Sequence, residues 1–264
     1  MANQKYALIT GGSAGIGYEL ARLFAKDGYN LLLVARTEED LQQRCHDLRV
    51  EFKVEATYLV KDLFQPEAPF ELYDEVQRRG LWIDALVNDA GQGQYGLFAE
   101  SDIRRQLDII QLNVNALTVL TYLFLKDMIT RSSGKILNLA SIASQLPGPW
   151  QAVYHATKAY VLSFTEAIRS EVKGSGIHVT ALQPGATDTD FFNKAEMQES
   201  KILDSKLSDP VQVAKDGYEA LLANEDKVVS GAKNKLMVGM SNVTPEDKVA
   251  DMMNKMQEPR GKDV

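Results

Sequence analysis

The sequence predicts an α/β protein of one domain, in which helices flank both faces of a doubly wound parallel sheet. Uniformly apolar segments of strand length recur along the chain, and a longer segment of helical period follows each of them. Strands that are apolar on both sides are typical of parallel sheets, because both faces of such a sheet are buried. The 264 residues contain no repeat, low-complexity tract or linker, which favours a single domain over 1–264.

The predicted elements alternate along the chain. Strands are expected at 6–9, 31–34, 55–60, 85–87, 135–139 and 177–182, with a last strand at either 228–229 or 236–238. Helices are expected at 16–28, from 38 after a Thr37 cap, and at 67–79, 103–131, 152–173 and 244–258. In the C-terminal helix 244–258, Met252, Met253 and Met256 follow the spacing of a buried face. The segment 186–210 lies outside the alternation and is predicted to be a mobile lid over the substrate.

Composition limits the possible functions. Lys and Arg number 29 against 36 Asp and Glu, a net charge of −7, which argues against a nucleic-acid-binding surface over much of the molecule. The single cysteine, Cys45, excludes an intrachain disulfide and a multi-cysteine metal site, and the three dispersed histidines predict no metal centre. No uninterrupted apolar run reaches the roughly 20 residues of a membrane span. With no apolar leader at the start, we expect a cytoplasmic protein that contacts no membrane.

A glycine-rich turn, Thr10-Gly11-Gly12-Ser13-Ala14-Gly15-Ile16-Gly17, joins the first predicted strand to the first helix. Glycines permit a tight turn and let the backbone approach a pyrophosphate, while the helix N-terminus offers free N–H groups to that anion. This position in a Rossmann-type sheet predicts that the turn binds a dinucleotide through Gly11, Ser13, Ala14, Gly15, Ile16 and Gly17. The alternative is a turn with a structural role alone.

The residues after the second strand predict which dinucleotide is bound. A carboxylate there would bind the ribose 2′-hydroxyl of NAD and repel the 2′-phosphate of NADP. This chain instead has Arg36 followed by Thr37, and a guanidinium can pair with a phosphate through two hydrogen bonds. The sequence therefore favours NADP(H), the alternative being that Arg36 is a solvated surface residue.

Tyr154 and Lys158 are four residues apart in a predicted helix, so their side chains lie on one face. A phenol has an ordinary pKa of about 10 and is a poor base near neutrality. A nearby ammonium and a cationic oxidised nicotinamide both stabilise a phenolate, so we expect Lys158 and such a cofactor to lower the pKa of Tyr154 toward neutrality. On its own a Tyr-x-x-x-Lys pair is weak evidence, since many helices contain one.

With these motifs in this order, the chain resembles the short-chain dehydrogenase/reductase family, in its short, single-domain, NADP-preferring branch. The resemblance covers about 4–230 and rests on the glycine turn, Asp62-Leu63, Asn88-Asp89-Ala90-Gly91, Asn113, Ser141, Tyr154 with Lys158, and Pro184-Gly185. It implies that Tyr154 exchanges a proton with the substrate oxygen, while Lys158 binds the nicotinamide ribose. It further implies that Ser141 hydrogen-bonds the substrate oxygen and that Asn113 holds a water linked to Lys158.

The resemblance also implies the remaining contacts. NADP (NADPH) would be bound further by Asp62, Leu63, Asn88, Ala90, Gly91, Pro184, Gly185, Thr187 and Thr189. The substrate would be contacted by Ser141, Gln94, Tyr95, Gln145, Trp150, Gln151, Phe191, Phe192 and Met197. A homodimer through helices 103–131 and 152–173 is expected, with a tetramer as the alternative. The chain departs from the family in having Asp89 where an asparagine is usual, and a buried acid there needs a hydrogen-bond donor.

The resulting hypothesis is an enzyme that transfers a hydride between NADP(H) and a carbonyl compound or secondary alcohol. An NADPH-dependent reductase of a ketone or a 3-oxoacyl-type substrate is the preferred form, because the predicted pocket is aromatic and partly apolar. Two alternatives stay open: a binding module that senses NADP without turnover, and a redox-neutral epimerase or dehydratase that uses the same tyrosine and lysine.

Overall fold

A computed structural model describes residues 5–241 and 243–261. One sheet of seven parallel strands runs through the molecule in the spatial order β3-β2-β1-β4-β5-β6-β7. The strands are β1 (Lys5–Thr10), β2 (Asn30–Ala35), β3 (Ala56–Val60), β4 (Trp82–Asn88), β5 (Gly134–Leu139), β6 (Ile177–Gln183) and β7 (Lys227–Val229). This is the doubly wound sheet that the sequence predicts, so the predicted fold class is confirmed.

Helices connect the strands and cover both faces of the sheet. Before β5 they are α1 (Gly15–Lys26), α2 (Glu38–Phe52), α3 (Ala68–Arg78), α4 (Ile103–Ile110) and α5 (Leu117–Arg131). After β5 they are α6 (Ala152–Glu171), α7 (Phe191–Lys194), α8 (Pro210–Leu222), α9 (Ala232–Ser241) and α10 (Glu246–Gln257). Single turns of 3₁₀-helix lie at Phe98–Glu100, Ile142–Gln145 and Lys201–Asp204.

The core consists of two apolar layers, one on each face of the sheet. Side chains of a strand point alternately to its two faces, so Leu31 and Leu33 of β2 enter one layer while Leu32 enters the other. Phe24 of α1 fills the first layer, and Phe124 of α5 fills the second. Each fully buried side chain of this size contributes about 1.5–3 kcal/mol. This two-sided burial is the physical reason why β2 is apolar without a break.

The chain order of the strands positions the functional site. From β1 the chain moves outward through β2 and β3, then returns to place β4 on the other side of β1. The connections that leave the carboxyl ends of β1 and β4 therefore diverge and leave a crevice between them, where α/β sheets bind ligands.

The segment 103–131 is helical throughout, as predicted, but its hydrogen bonding is not uniform. A π-helical stretch, Gln111–Ala116, separates α4 from α5 and contains Asn113. Wide turns of this kind occur frequently at functional sites, because they shift side chains out of the regular helical register.

The expectation that no segment could span a membrane needs correction, because Ile103–Arg131 is long and apolar enough to do so by length and composition. A continuous helix can meet these criteria even where polar residues interrupt its apolar runs. The helix also packs on the sheet, where Leu120, Phe124 and Met128 are buried, and a core helix of a soluble protein has the same properties. The length and composition of the helix are thus weak evidence for a membrane span, and the cytoplasmic location stays a prediction.

The structure decides one open alternative and corrects two local predictions. The residues 236–238 lie in helix α9, since Ala, Lys, Leu and Met around them are good helix formers, so 227–229 is the last strand. Thr37 is the N-cap residue of α2, as predicted, but its side chain makes no capping hydrogen bond, so the helix start is favoured by the acidic Glu38, Glu39 and Asp40 of the first turn alone. In α10, Met253 is buried but Met252 is 41% exposed, because adjacent helical residues point in different directions.

Two aspartates at opposite ends of β4 have different environments. Burial alone would raise the pKa of Asp84, but a hydrogen bond from Tyr29 and the ammonium groups of Lys135 and Lys5 outweigh it, so this pKa is lowered. Asp89 follows β4 at the glycine turn. Burial raises the pKa of Asp89 to about 7, although Lys158 and the backbone N–H of Gly17 partly offset this effect.

The two shifts predict stability changes of opposite sign. Because the pKa of Asp89 is raised in the folded protein, ionisation of this carboxyl lowers the free energy of unfolding. The loss grows as the pH rises from the pKa of Asp89 in the unfolded state to about 7. Asp89→Asn should therefore raise the melting temperature, with a gain of about 1–2 kcal/mol more at pH 7 than at pH 5. Asp84→Asn is the matched control and should lower the melting temperature at both pH values, because a carboxyl whose pKa is lowered by folding stabilises the fold above its pKa in the unfolded state.

Thermal denaturation followed by circular dichroism at the two pH values measures both effects. An equal shift for Asp89→Asn at both pH values would show that this carboxyl is ionised throughout the range.

Candidate active site

A crevice of about 430 Å³ lies at the carboxyl ends of the strands. Most of the residues predicted for the site line it, although they come from distant parts of the sequence. They are Gly11, Ser13, Ala14, Gly15, Ile16, Arg36, Thr37, Asp62, Leu63, Ala90, Gly91, Ser141, Gln151, Tyr154, Lys158, Pro184, Gly185, Thr187, Thr189, Phe191, Phe192 and Met197. The structure thus brings the predicted residues together, and their individual roles stay predictions.

The glycine turn has the geometry that a phosphate group requires. Gly11 and Gly15 have φ angles of +70° and +55°, which glycine adopts without strain. The N-cap residue of α1, Ala14, offers no side-chain hydrogen bond to the helix. The first N–H groups of α1 are therefore not capped by a side chain of that residue, and they suit the pyrophosphate of a dinucleotide.

Arg36 lies at the nucleoside end of the crevice. Its guanidinium lies 5.2 Å from the ring centre of Phe64, a contact that orients it at the mouth. Among residues 5–241 and 243–261 no carboxylate is within ion-pair distance of this guanidinium. An exposed cation with these surroundings fits an added phosphate group.

At the other end, helix α6 presents Tyr154 and Lys158 to the crevice. The Lys158 Nζ donates a hydrogen bond to the Leu139 carbonyl oxygen at 2.6 Å and lies 5.8 Å from the centre of the Tyr154 ring. Ser141 lies two residues after the carboxyl end of β5, and its hydroxyl is hydrogen-bonded to Tyr154. The two hydroxyls and the ammonium therefore converge on one region, as the i, i+4 spacing and the strand end predict.

The expected effect of Lys158 on Tyr154 is corrected by the structure. Burial raises the pKa of Tyr154 to about 12, and the hydrogen bond from Ser141 offsets only part of this effect. Burial also lowers the pKa of Lys158 to about 8, although the Asp89 carboxyl acts in the opposite direction. Burial is the dominant effect on Tyr154, so the phenol of the protein alone is neutral near neutral pH.

Asn113 lies beside the catalytic groups and outside the lining of the crevice. Its Oδ1 accepts from the Gln92 backbone N–H at 3.0 Å, and its Nδ2 donates to the Gln92 carbonyl at 2.8 Å and to Thr157 Oγ1 at 3.0 Å. These bonds join the π-helical stretch to the segment after β4 and to α6. A β-carbon on Gly91 would lie 3.3 Å from Lys158 Nζ and 3.4 Å from Asn113 Oδ1, so the two side chains are neighbours.

Two residues predicted to contact the dinucleotide, Asn88 and Gly17, lie outside the lining of the crevice. Asn88 is buried and donates to Thr121 Oγ1 at 3.1 Å and to Asn138 Oδ1 at 2.8 Å, because it is the last residue of a central strand. A β-carbon on Gly17 would lie 2.6 Å from the Gly11 carbonyl oxygen. Gly17 therefore serves the close packing of α1 against the turn.

Four of the predicted substrate contacts also lie outside the lining. Gln145 donates to Gln183 Oε1 at 2.5 Å. Trp150 stacks on Tyr95, which is outside the lining as well, and donates to Asn254 of α10 at 2.8 Å. Gln94 donates to Glu196 at 3.4 Å, which directs its amide toward the segment after α7. These side chains support the wall of the pocket from behind.

Sequence reasoning missed residues of the C-terminal helix. Met253 and Gln257 of α10 line the crevice, next to His155 of α6. The only available sequence signal, the apolar period of α10, indicates a buried face and does not identify what that face covers. The contact between Gln257 and His155 spans 102 residues, so local patterns could not reveal it.

The comparisons with known proteins agree with this geometry. Residues 5–200 match the family model described as short chain dehydrogenase. The chain is 32% identical to the uncharacterized oxidoreductase YmfI of Bacillus subtilis, over 86% of this chain and 95% of that protein. It is 34% identical to a very-long-chain 3-oxoacyl-CoA reductase of Coprinopsis cinerea over 66% of this chain, but spans only about half (52%) of that relative.

Solved structures show the same fold. A short-chain dehydrogenase from Sphingobium yanoikuyae, solved in complex with NADPH, has a TM-score of 0.80 and 26% identity, over 98% of this chain and 99% of that one. The bulky-bulky ketone specific alcohol dehydrogenase from Comamonas testosteroni has a TM-score of 0.77 and 26% identity, over 100% and 98% of the two chains. With the crevice and its tyrosine, serine and lysine, these matches show that the chain is an oxidoreductase that belongs to the short-chain dehydrogenase/reductase family.

Proposed function

We propose that this protein reduces the carbonyl group of a ketone or 3-oxoacyl-type compound with NADPH. The observation that carries the proposal is the convergence of Ser141, Tyr154 and Lys158 at one end of a crevice whose other end has the glycine turn and Arg36. NADPH, when bound, would supply the hydride that reaches the carbonyl carbon. The pyrophosphate would be held by the turn and the 2′-phosphate by Arg36.

The protonation state of Tyr154 suits it to donate a proton to a carbonyl oxygen. A carbonyl oxygen gains negative charge as its carbon accepts a hydride, and it needs a proton donor and a hydrogen-bond donor. Tyr154, neutral because burial raises its pKa to about 12, donates the proton, and the Ser141 hydroxyl donates the hydrogen bond. The Lys158 ammonium stabilises the phenolate that remains.

Names of relatives support a carbonyl substrate and NADPH. The matched proteins include 3-oxoacyl-CoA reductases and a sulfoacetaldehyde reductase of Chromohalobacter salexigens, 34% identical over 70% of this chain. Solved relatives were complexed with NADPH or, in an alcohol dehydrogenase from Thermococcus sibiricus that is 27% identical, with 5-hydroxy-NADP. The presence of Ser141, Tyr154 and Lys158 in one crevice favours turnover over a module that only senses NADP.

We further propose a homodimer through the outer faces of α4, α5 and α6. On α4 and α5, large apolar side chains are exposed at Ile103, Leu107, Tyr122 and Ile129. The exposed face of α6 has small residues at helical spacing, namely Ala152, Ala156, Ala159, Ser163 and Ala167. Small residues let helices of a second copy approach closely, and a contiguous apolar face of this kind is typical of interaction surfaces.

Tyr154→Phe tests the reductase mechanism. It removes the proton donor and keeps the ring, so turnover of any ketone should fall at least about 1,000-fold while NADPH binding is retained. NADPH oxidation and fluorescence titration of bound NADPH measure the two effects. Unchanged turnover would reject the mechanism, and a wild-type protein that binds NADPH yet reduces no carbonyl compound would support the sensing alternative.

Arg36→Ala tests the choice of cofactor. Loss of a guanidinium that pairs with the 2′-phosphate should weaken NADPH binding about 10- to 100-fold and leave NADH binding within about twofold. Arg22→Ala, a change to an exposed arginine of α1 that pairs with Glu51, is the matched control. Equal affinities of the wild-type protein for NADPH and NADH would contradict the proposal.

Leu107→Arg tests the dimer. A charge buried between two copies is costly, so this variant should sediment as a monomer where the wild-type protein sediments as a dimer. Leu236→Arg on α9 changes an equally exposed leucine away from this face and should leave the dimer intact. A wild-type monomer, or a dimer that Leu107→Arg does not weaken, would refute the interface.

A further inference from the structure

The substrate end of the crevice contains two buried amide side chains with unused hydrogen-bonding atoms. Gln257 of α10 is 1% exposed and Gln151, just before α6, is 5% exposed. Both line the crevice, and neither Gln257 Oε1 nor Gln151 Nε2 has a hydrogen-bond partner among the described residues. A buried polar atom without a partner is costly, so such atoms in a pocket indicate what a ligand supplies.

The orientation of the Gln257 amide follows from its neighbour. His155 Nδ1 lies 2.7 Å from the Leu146 carbonyl oxygen, which can only accept, so Nδ1 carries the proton. The other ring nitrogen, Nε2, is then an acceptor and takes a hydrogen bond from Gln257 Nε2 at 3.1 Å. Burial lowers the pKa of His155, which keeps the ring neutral and this arrangement intact. Gln257 therefore presents its oxygen, a pure acceptor, as the unpartnered atom.

The backbone of Gln257 is fixed in place. Its carbonyl oxygen accepts hydrogen bonds from the Tyr95 hydroxyl at 2.5 Å and from Ser200 Oγ at 3.0 Å. These bonds hold the end of α10 against both walls of the pocket. The acceptor is consequently preorganised, so a ligand group can bind it without the usual loss of side-chain conformational entropy.

Gln151 supplies the complementary group beside the catalytic tyrosine. A β-carbon on Gly93 would lie 3.0 Å from Gln151 Nε2 and 3.3 Å from Cδ2 of Tyr154, so the amide nitrogen lies beside the phenol ring. An amide nitrogen is a donor only. The pocket thus offers one unused donor and one unused acceptor.

The rest of this end of the crevice is apolar or already neutralised. Its walls include Leu146, Phe191, Phe192, Met197, Ile202 and Met253. The charged side chains of the neighbouring lining segment, Asp190 and Lys194, pair with each other at 3.1 Å. A carboxylate or phosphate on the substrate would therefore find no unpaired cation among the described residues near α7.

We propose that Gln257 and Gln151 determine substrate specificity by binding an uncharged hydroxyl group of the substrate, in addition to the carbonyl group that Tyr154 protonates. A hydroxyl both donates, here to Gln257 Oε1, and accepts, here from Gln151 Nε2. The substrate class is then a neutral, mainly apolar hydroxy ketone. The inference rests on the proposed function and deepens it, because it concerns the same pocket.

Matched ketones that differ by one hydroxyl group test this class. Suitable pairs are benzylacetone with para-hydroxybenzylacetone, butanone with acetoin, and acetone with hydroxyacetone, and para-carboxybenzylacetone serves as the anionic analogue. Sites built to hydrogen-bond a hydroxyl discriminate strongly against analogues without it. The wild-type protein should prefer the hydroxy ketone about 10- to 100-fold in kcat/KM in at least one pair, and should reduce the carboxylate least among the benzylacetones.

Gln257→Met and Gln151→Met remove the amides and nearly keep side-chain length. Each variant should lose most of the preference for the hydroxy ketone, measured within that variant as the ratio of kcat/KM for the hydroxy ketone to kcat/KM for the unsubstituted ketone. Gln212→Met is the matched control, because Gln212 is an exposed glutamine of α8 whose amide bonds Asp216. Circular dichroism checks that each variant is folded.

The result that overturns the inference is a hydroxyl preference absent from all three pairs, or one that both variants retain, or a preference for the carboxylate. Saturation-transfer NMR of the same ketones with the protein keeps the two proposals separate, since it needs no turnover. Selective binding of the hydroxy ketone without its reduction would refute the proposed function alone. Reduction of both members of each pair at equal rates would refute the hydroxyl site alone.

Discussion

The functional site depends on the junction between the carboxyl ends of β1 and β4. The Thr10 hydroxyl accepts hydrogen bonds from the backbone N–H groups of Asp89 and Ala90, both at 3.1 Å, and donates to the Val87 carbonyl oxygen at 3.3 Å. These bonds hold the glycine turn against the segment after β4. The crevice opens at this junction because the strand order reverses there, and it is lined by both the glycine turn and Lys158.

Burial at this junction sets the chemical state of the catalytic groups. Near neutral pH a desolvated phenol keeps its proton, so Tyr154 is ready to act as an acid and poorly suited to act as a base. Lys158 is held by the Leu139 carbonyl oxygen and lies near the Asp89 carboxyl, which favours its charged form. The protein by itself is therefore in the state that carbonyl reduction needs, whereas oxidation of an alcohol requires the phenolate.

The sequence predicted most of what depends on local pattern. The unbroken apolar run of β2 indicated a strand with both faces buried, and the spacing of Tyr154 and Lys158 placed both on one face of α6. The sequence did not reveal that burial raises the pKa of Tyr154, because desolvation depends on the atoms that surround a group in space. Patterns along the chain carry no measure of that quantity.

Residues that depend on tertiary contacts were also beyond sequence reasoning. Asn88 was predicted to follow the strand 85–87, whereas it is the last residue of β4 and faces Thr121 and Asn138 inside the protein. Gln257 reaches the pocket because Val249 and Met253 of α10 pack against Leu146, which brings the end of the helix to His155. Helical period identified the buried face of α10, but the partner of that face is a property of the whole fold.

The central claim, that this crevice transfers a hydride to a carbonyl carbon while Tyr154 supplies the proton, has a direct test. NADPH deuterated at the transferable position of its nicotinamide is incubated with the protein and para-hydroxybenzylacetone, and the alcohol product is analysed by mass spectrometry. The account predicts one deuterium in each product molecule, on the former carbonyl carbon. A product without deuterium, or label that exchanges with water, would contradict it.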